Sequence, residues 1–305
     1  MNLTSDLVVD SYEEAFVKNI VIVFLGVIIN SINGMLVVTF LANPIFSKDS
    51  RYILYIHLVI NDMIMIFVSV TLYVMSYILR LLNFPFCCML LILATTTFMI
   101  SPLNLAGMAV ERFIAVCKPL HHHQICTPQR TYVFICFLWC TGVIPSLADF
   151  SILLSTQPTS FQRTVVYCYP PIVFPTKLHQ DRSTYSQIIY MSLVWFIVIY
   201  TYCNVMFTAK KASSGSSANK ARNTILLHGV QLLLCMLSYL TPVLNFILIS
   251  LFPVHSSKIT FLTYLLTNIM PRLLSPLIYG VRDQKFVKKM KEHFTCKFCF
   301  LKIAP

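Results

Sequence analysis

Residues able to do chemistry are few in this chain, and their spacing suits structure or signalling better than bond-making. His121, His122, His123 and Cys126 are metal-ligand types. Three adjacent histidines on a helix cannot all turn to one ion, however, and no second cluster completes a tetrahedral set. We read them as a polar loop and expect no metal. No G-x-S-x-G, P-loop or H-E-x-x-H pattern occurs, so the motifs that mark a nucleophile elbow, a phosphate cradle or a zinc-protease helix are missing. The chain reads as a non-enzyme with no cofactor. Asp62 and Arg272 stand alone inside long apolar stretches. Each by itself would cost roughly 2.5–3.5 kcal/mol in hydrocarbon on insertion scales. One acid and one base can offset that cost by pairing. Glu111 and Arg112 end another apolar stretch, where an arginine can snorkel to the interface or serve a function. Asn2-Leu3-Thr4 is the sole N-x-[ST] acceptor for glycosylation.

The elements that must position these groups follow from the distribution of charge. Of the 305 residues, 57% are hydrophobic and 11% charged, and the mean hydropathy is +0.75. Soluble globular chains average about 25% charged, so a soluble enzyme, a disordered chain and a nucleic-acid-binding domain are all disfavoured. Residues 19–47, 81–110, 131–148, 183–209 and 223–257 carry no Asp, Glu, Lys or Arg, while 52–79 hold only Asp62 and 259–281 only Arg272. A bilayer-spanning helix needs about 20 mostly apolar residues. Seven runs therefore predict seven transmembrane helices, an all-α membrane protein. The connections 44–51, 80–85, 118–130 and 252–258 are short. The segment 210–222 has linker composition, and 149–182 reads as a long polar loop.

Lysine and arginine set the orientation. Lys48, Arg51, Arg112, Lys118, Arg130 and the basic clusters within 210–222 and 282–302 fall on one side. That side is cytoplasmic, the N-terminus is outside, and the formal net charge of +12 resides on the inner face. It suits anionic membrane lipid and an acidic partner. The acidic start (Asp6, Asp10, Glu13, Glu14) is unlike a secretory signal peptide, so the first span is expected to act as an uncleaved anchor. Cys87, Cys88 and Cys168 face the oxidising side. An odd number leaves one free, and either Cys87 or Cys88 could bridge to Cys168 and pin the outer loop. Cys296 and Cys299 follow a basic segment, where palmitoylation is plausible. No repeat of 20–50 residues and no inverted pattern of broken helices is seen, which counts against a transporter.

The third apolar run ends Met108-Ala-Val-Glu111-Arg112-Phe113-Ile-Ala-Val-Cys117-Lys118-Pro119-Leu120-His121. This resembles the MAYDRYVAICKPLHY motif of vertebrate odorant receptors, among the rhodopsin-like G-protein-coupled receptors. Around it, in order, Asn33 matches the first-helix Asn, Asp62 the second-helix Asp, Trp139 the fourth-helix Trp and Tyr202 the inner Tyr of the fifth helix. Lys220 to His228 resembles the KAxxTCxxH entry to the sixth helix, Ser275-Pro276-Leu-Ile-Tyr279 matches NPxxY, and Arg282 to Phe294 resembles the amphipathic eighth helix. The wording is closer to a fish odorant receptor than a mammalian one. Departures are Ser275 for Asn, Phe113 for Tyr, and one outer-loop cysteine where many relatives have three. No aspartate stands near Ala94, where amine receptors carry their ammonium partner.

The resemblance implies residues 1–18 as extracellular N-terminus, 19–281 as a seven-transmembrane receptor domain, and 282–305 as a cytoplasmic amphipathic helix and tail. It selects Cys87, which lies where the family places its disulfide cysteine, as the partner of Cys168. It assigns Glu111, Arg112, Tyr202 and Tyr279 to G-protein coupling and switching. Asn33, Asp62, Ser101, Arg272 and Ser275 form an intramembrane polar core. Many such receptors hold sodium against this Asp, and here the Arg272 guanidinium could occupy that space. The ligand site would lie between the outer halves of helices three, five, six and seven, with Leu91, Thr95, Phe98, Met99, Met191, Tyr239, Asn245, Tyr264 and Thr267 as candidates. The expectation is a plasma-membrane olfactory receptor that binds a small odorant and activates a heterotrimeric G protein of the Gs/olfactory type. A class A receptor for a non-odorant metabolite or peptide, or a transporter or channel, is the alternative.

Overall fold

The computed structural model describes residues 11–78, 81–156, 165–211, 229–230, 233–234, 237–274 and 284–301. The first apolar run forms α1 (Tyr12–Ala42), with Ser11 as N-cap accepting from the Glu14 amide at 3.3 Å and Glu13 and Glu14 in the first turn. Both features favour a helix start, the hydroxyl by satisfying an orphan amide and the acids by complementing the dipole. After a turn through Phe46–Lys48 the chain enters α2 (Ser50–Ile78), and after β1 (Leu82–Asn83) it enters α3 (Phe84–Cys117), which has a proline in its first turn. Next come α4 (Pro119–Ile125) and α5 (Pro128–Thr156), where Thr127 Oγ1 accepts the Arg130 amide. β2 (Val165–Val166), the single turn α6 (Pro170–Val173) and α7 (Lys177–Lys211) follow. The sixth run is described in part, ending in α8 (Thr241–Leu251). The seventh holds α9 (Ser256–Tyr264) and a π-helical turn, Leu265–Ile269. The last helix is α10 (Gln284–Leu301).

Among the described residues, five helices are long and apolar enough to cross a membrane: α1, α2, α3, α5 and α7. Their surfaces are inverted relative to a soluble protein. Phe24, Phe67, Phe137, Phe196 and Phe246 are exposed, while Asn33, Asn61, Asp62, Ser101, Asn104 and Arg272 are buried. Hydrocarbon gives apolar side chains no reason to turn inward, so helices associate through packing and internal polar contacts. Glycine permits the close approach of α3 and α5. A Cβ on Gly107 would meet the Phe134 ring at 2.5 Å, and one on Gly142 would meet Ile100 at 2.9 Å.

Two expected loops are partly helical among the described residues. The 118–130 connection contains α4, a helix begun by Pro119, whose fixed φ suits a first helical position. The outer segment 149–182 is narrowed because α5 runs on to Thr156 and α7 begins at Lys177. Asp149 on α5 pairs with Arg182 on α7, so these polar ends continue the helices.

The inner core joins α1, α2, α3 and α7, with α10 docked beneath. Phe286 of α10 is 1% exposed. Its ring centroid lies 4.9 Å from Phe46, 6.0 Å from Tyr52 and 6.2 Å from Tyr55. At the outer end a second apolar cluster surrounds Cys87 and includes Leu82, Phe84, Leu91, Leu153 and Val166.

Candidate functional site

At the outer end Cys87 and Cys168 are bridged, with Cα atoms 5.5 Å apart, and Cys88 is a buried free thiol. The pairing of Leu82 with Val166 and Asn83 with Val165 sets the outer loop antiparallel to the entry of α3. His179 Nε2 donates to the Asp149 carbonyl at 3.1 Å, adding a second tie between α5 and α7.

Midway through the bundle Arg272 Nη1 lies 2.9 Å from Asp62 Oδ1, with side chains 4% and 3% exposed. Ser101 Oγ donates to the same carboxylate oxygen at 3.3 Å. Asn61 Nδ2 donates to Ser101 Oγ and to the Thr97 carbonyl, both at 2.9 Å. The pair therefore sits in a connected polar network between α2, α3 and the seventh run. The π-turn 265–269, in which the Met270 amide donates to the Leu265 carbonyl, precedes Arg272 and shifts the phase of the residues after it. Such bulges are frequent at functional positions. Asn33 is buried at 1% exposure on α1. Ser275 lies outside the described residues.

At the inner end of α3, Glu111 is buried and holds two partners. Arg112 Nε is 3.6 Å from Glu111 Oε2, and His122 Nε2 of α4 donates to Glu111 Oε1 at 3.0 Å. His123 stands edge-on to His122, with centroids 5.4 Å apart. Among the described residues no group of three His, Cys, Asp or Glu could hold a metal. Cys126, at the end of α4, has its thiol pushed up by burial and then by the carboxylates of Glu111 and Asp49. Tyr202 of α7 lies within electrostatic reach of Arg112, and its ring approaches the Cβ position of Gly229, the start of the described part of the sixth run. Tyr279 lies outside the described residues, as do Asn2 and the side chains of Cys296 and Cys299.

The nine ligand candidates divide. Phe98 and Tyr239 pack with tilted rings, centroids 4.4 Å apart, and Tyr239 donates its hydroxyl to the Phe98 carbonyl at 3.2 Å, joining α3 to the sixth run. Thr267 shares a 2.6 Å hydrogen bond with Thr241. Thr263 donates to Asn245. Tyr264 stacks on Tyr73 at 6.3 Å. Met99 is buried and Met191 packs against the inner core. Leu91 belongs instead to the cluster around the disulfide. Thr95 Oγ1 lies 2.6 Å from Ser146 Oγ, turned toward α5, the fourth span.

Sequence reasoning missed the contact between His122 and Glu111, which needs the course of α4. It also missed the partner of Trp139, whose indole N–H donates to His57 Nε2 at 3.0 Å across α5 and α2. Residues so far apart in sequence carry no local signal of such a bond.

Residues 32–301 match the family model described as 7 transmembrane receptor (rhodopsin family). The chain is 30% identical over 281 residues to zebrafish (Danio rerio) Odorant receptor 131-2, covering 92% of this chain and 86% of that protein. Human Olfactory receptor 4K2 is 28% identical over 206 residues, 62% of this chain and 61% of that protein. Human Olfactory receptor 2AG2 is 26% identical over 222 residues, 69% and 67% respectively.

Proposed function

The chain belongs to the rhodopsin family of seven-transmembrane receptors, and from that premise we propose how it works as an olfactory receptor. It sits in the plasma membrane with its N-terminus outside. A small, mostly apolar odorant binds between the outer halves of the third, fifth, sixth and seventh helices, against Phe98, Tyr239 and Thr267. The mix of apolar walls and a few hydroxyls suits such a ligand. Binding shifts the population toward a state with an opened inner face, where a stimulatory olfactory-type G protein docks on the basic surface around Arg112.

The observation that carries this reading is the inner end of α3. Glu111 restrains Arg112 at 3.6 Å, and the Tyr202 ring of α7 abuts Gly229 of the sixth run. Helix movement that opens this end releases Arg112 toward a partner. The Asp62–Arg272 pair supplies a fixed internal cation in the polar core, so signalling is expected not to respond to sodium.

The test is an odorant screen in cells expressing the full chain, reading cyclic AMP. A ligand-dependent rise that Arg112→Ala abolishes at unchanged surface expression supports the reading. Ligand-driven solute flux in liposomes without G protein would refute it.

A further inference from the structure

The polar seam between the sixth and seventh runs holds an amide whose direction is fixed by its neighbours. Asn268 lies in the π-helical turn Leu265–Ile269. Its Nδ2 donates to Thr267 Oγ1 at 2.9 Å, with Thr241 Oγ1 of the sixth run at 3.5 Å. Which way the amide is turned follows from the hydroxyl protons. Thr267 has one such proton, and two acceptors lie nearer to it than Asn268: the Thr263 carbonyl at 2.7 Å and Thr241 Oγ1 at 2.6 Å. Thr241 likewise has the Ser238 carbonyl at 2.7 Å. Both threonine oxygens therefore present lone pairs to Asn268. They hold its amino group toward them and its Oδ1 away.

This oxygen faces inward and can be reached. Leu262, Leu266 and Met270 are exposed and form the lipid-facing stripe of the seventh run. Asn268 is two residues from both Leu266 and Met270, which puts it on the opposite side of the helix, toward the bundle. It is only half-buried there. Among the described residues nothing donates to its Oδ1, and this atom is not sealed in as the amide oxygens of Asn33 and Asn104 are. Accessible surface on an inward face belongs to space between the helices. That space adjoins the junction of α3 with the sixth run, because Thr241 follows the turn Ser238–Leu240, whose Tyr239 packs on Phe98.

We propose that Asn268 sets ligand specificity, its pinned oxygen selecting molecules that carry a hydroxyl donor: small aliphatic alcohols over ketones or ethers of the same skeleton. The inference rests on the reading that a small molecule binds between these helices, and it adds the chemistry of that molecule's polar end. An alcohol donates its proton to Asn268 Oδ1 and so replaces the hydrogen bond that it gave to water. A ketone brings a second acceptor. Two oxygens then face each other with no proton between them, and both go without a partner. The neighbouring hydroxyls do not rescue the ketone, since those of Thr241 and Thr267 are engaged as described and Tyr239 donates to the Phe98 carbonyl.

The test uses the full chain in phosphatidylcholine nanodiscs and three photoactivatable probes of one carbon skeleton, each bearing a diazirine: a medium-chain alcohol, its methyl ether and the matching ketone. Peptide mapping should place the alcohol near Phe98, Tyr239 and Asn268. The alcohol should label these segments about five-fold more than the ether or the ketone, the size expected for one hydrogen bond. Asn268→Leu should level the three probes. Thr241→Val combined with Thr267→Val keeps Asn268 but lets its amide turn, so the ketone should gain on the alcohol. A purely structural Asn268 would instead move all three probes alike. Equal labelling of the wild-type chain by the three probes, a preference for the ketone, or no labelling of these segments would overturn the proposal. Because the wild-type ratio decides by itself, a variant that fails to fold leaves the outcome readable. The alcohol preference in nanodiscs without a cyclic AMP response in cells would support this site while refuting the signalling reading. Alcohol and ketone raising cyclic AMP at equal potency would do the reverse.

Discussion

Replacing Arg272 with Ala tests the polar core most directly. The guanidinium lies 2.9 Å from Asp62, and both side chains are nearly inaccessible. Removing one member of a buried pair leaves an uncompensated charge, which costs about 3–5 kcal/mol. The Ser101 hydroxyl stays at 3.3 Å from the carboxylate, and this long hydrogen bond offsets about 1 kcal/mol. The expected net loss is about 2–4 kcal/mol. On the scaling of 150–250-residue domains, 3 kcal/mol lowers the melting temperature by about 6–12 °C. The assay is a thermal melt of receptor in nanodiscs for wild type, Arg272→Ala, Asp62→Asn and the double variant. Each single change should destabilise, and the double variant should recover most of the loss, with a coupling of about 2–4 kcal/mol. The swapped pair, Asp62→Arg with Arg272→Asp, should recover part of it. Single-variant effects that add to within about 0.5 kcal/mol would show that the two charges do not interact, and would refute the reasoning.

Cys168→Ser removes a bridge between residues 81 apart in sequence and should cost about 4.5 kcal/mol in the chain-entropy model, read as lost surface expression. Cys88→Ser should leave the bridge intact, and non-reducing peptide mapping that linked Cys88 to Cys168 would contradict the assignment. His122→Phe frees the Glu111 carboxylate for Arg112 alone, so basal cyclic AMP should fall several-fold; a rise would mean that His122 helps to hold the resting state. Asn2 should carry glycan on receptor made in cells, and glycosidase treatment that left gel mobility unchanged would disprove it.

The long helices were legible because hydrocarbon imposes a rule that sequence states openly: a span must be a long, charge-free run. The Asp62–Arg272 contact was legible for the same reason, since two charges of opposite sign deep in separate spans have few other ways to be accommodated. Features set by how helices lie against one another were not legible. The helix α4 is only two turns long, too short for periodicity to distinguish it from a loop, and His122 reaches Glu111 only because that helix folds back under α3. The extension of α5 and α7 into polar sequence depends on Asp149 meeting Arg182, a fact of packing. Leu91 and Thr95 share a helical spacing with Phe98 and Met99 that suggests one common face. Spacing gives the angle between residues but not the direction of the face, and the disulfide cluster and Ser146 claim these two.

Burial is unevenly shared among the spans. In the most apolar stretch of α2, 67% of residues are buried inside the protein, against 28% in α1 and 22% in each of α5 and α7. The outer helices thus meet lipid along most of their circumference, and there a leucine, isoleucine or phenylalanine serves about equally well. Random substitution should therefore be absorbed silently along those faces as long as no charge is introduced, while α2 has few positions where change goes unfelt. Variant chains can therefore differ widely along the lipid faces of α1, α5 and α7 and still insert and fold, while α2 holds its pattern.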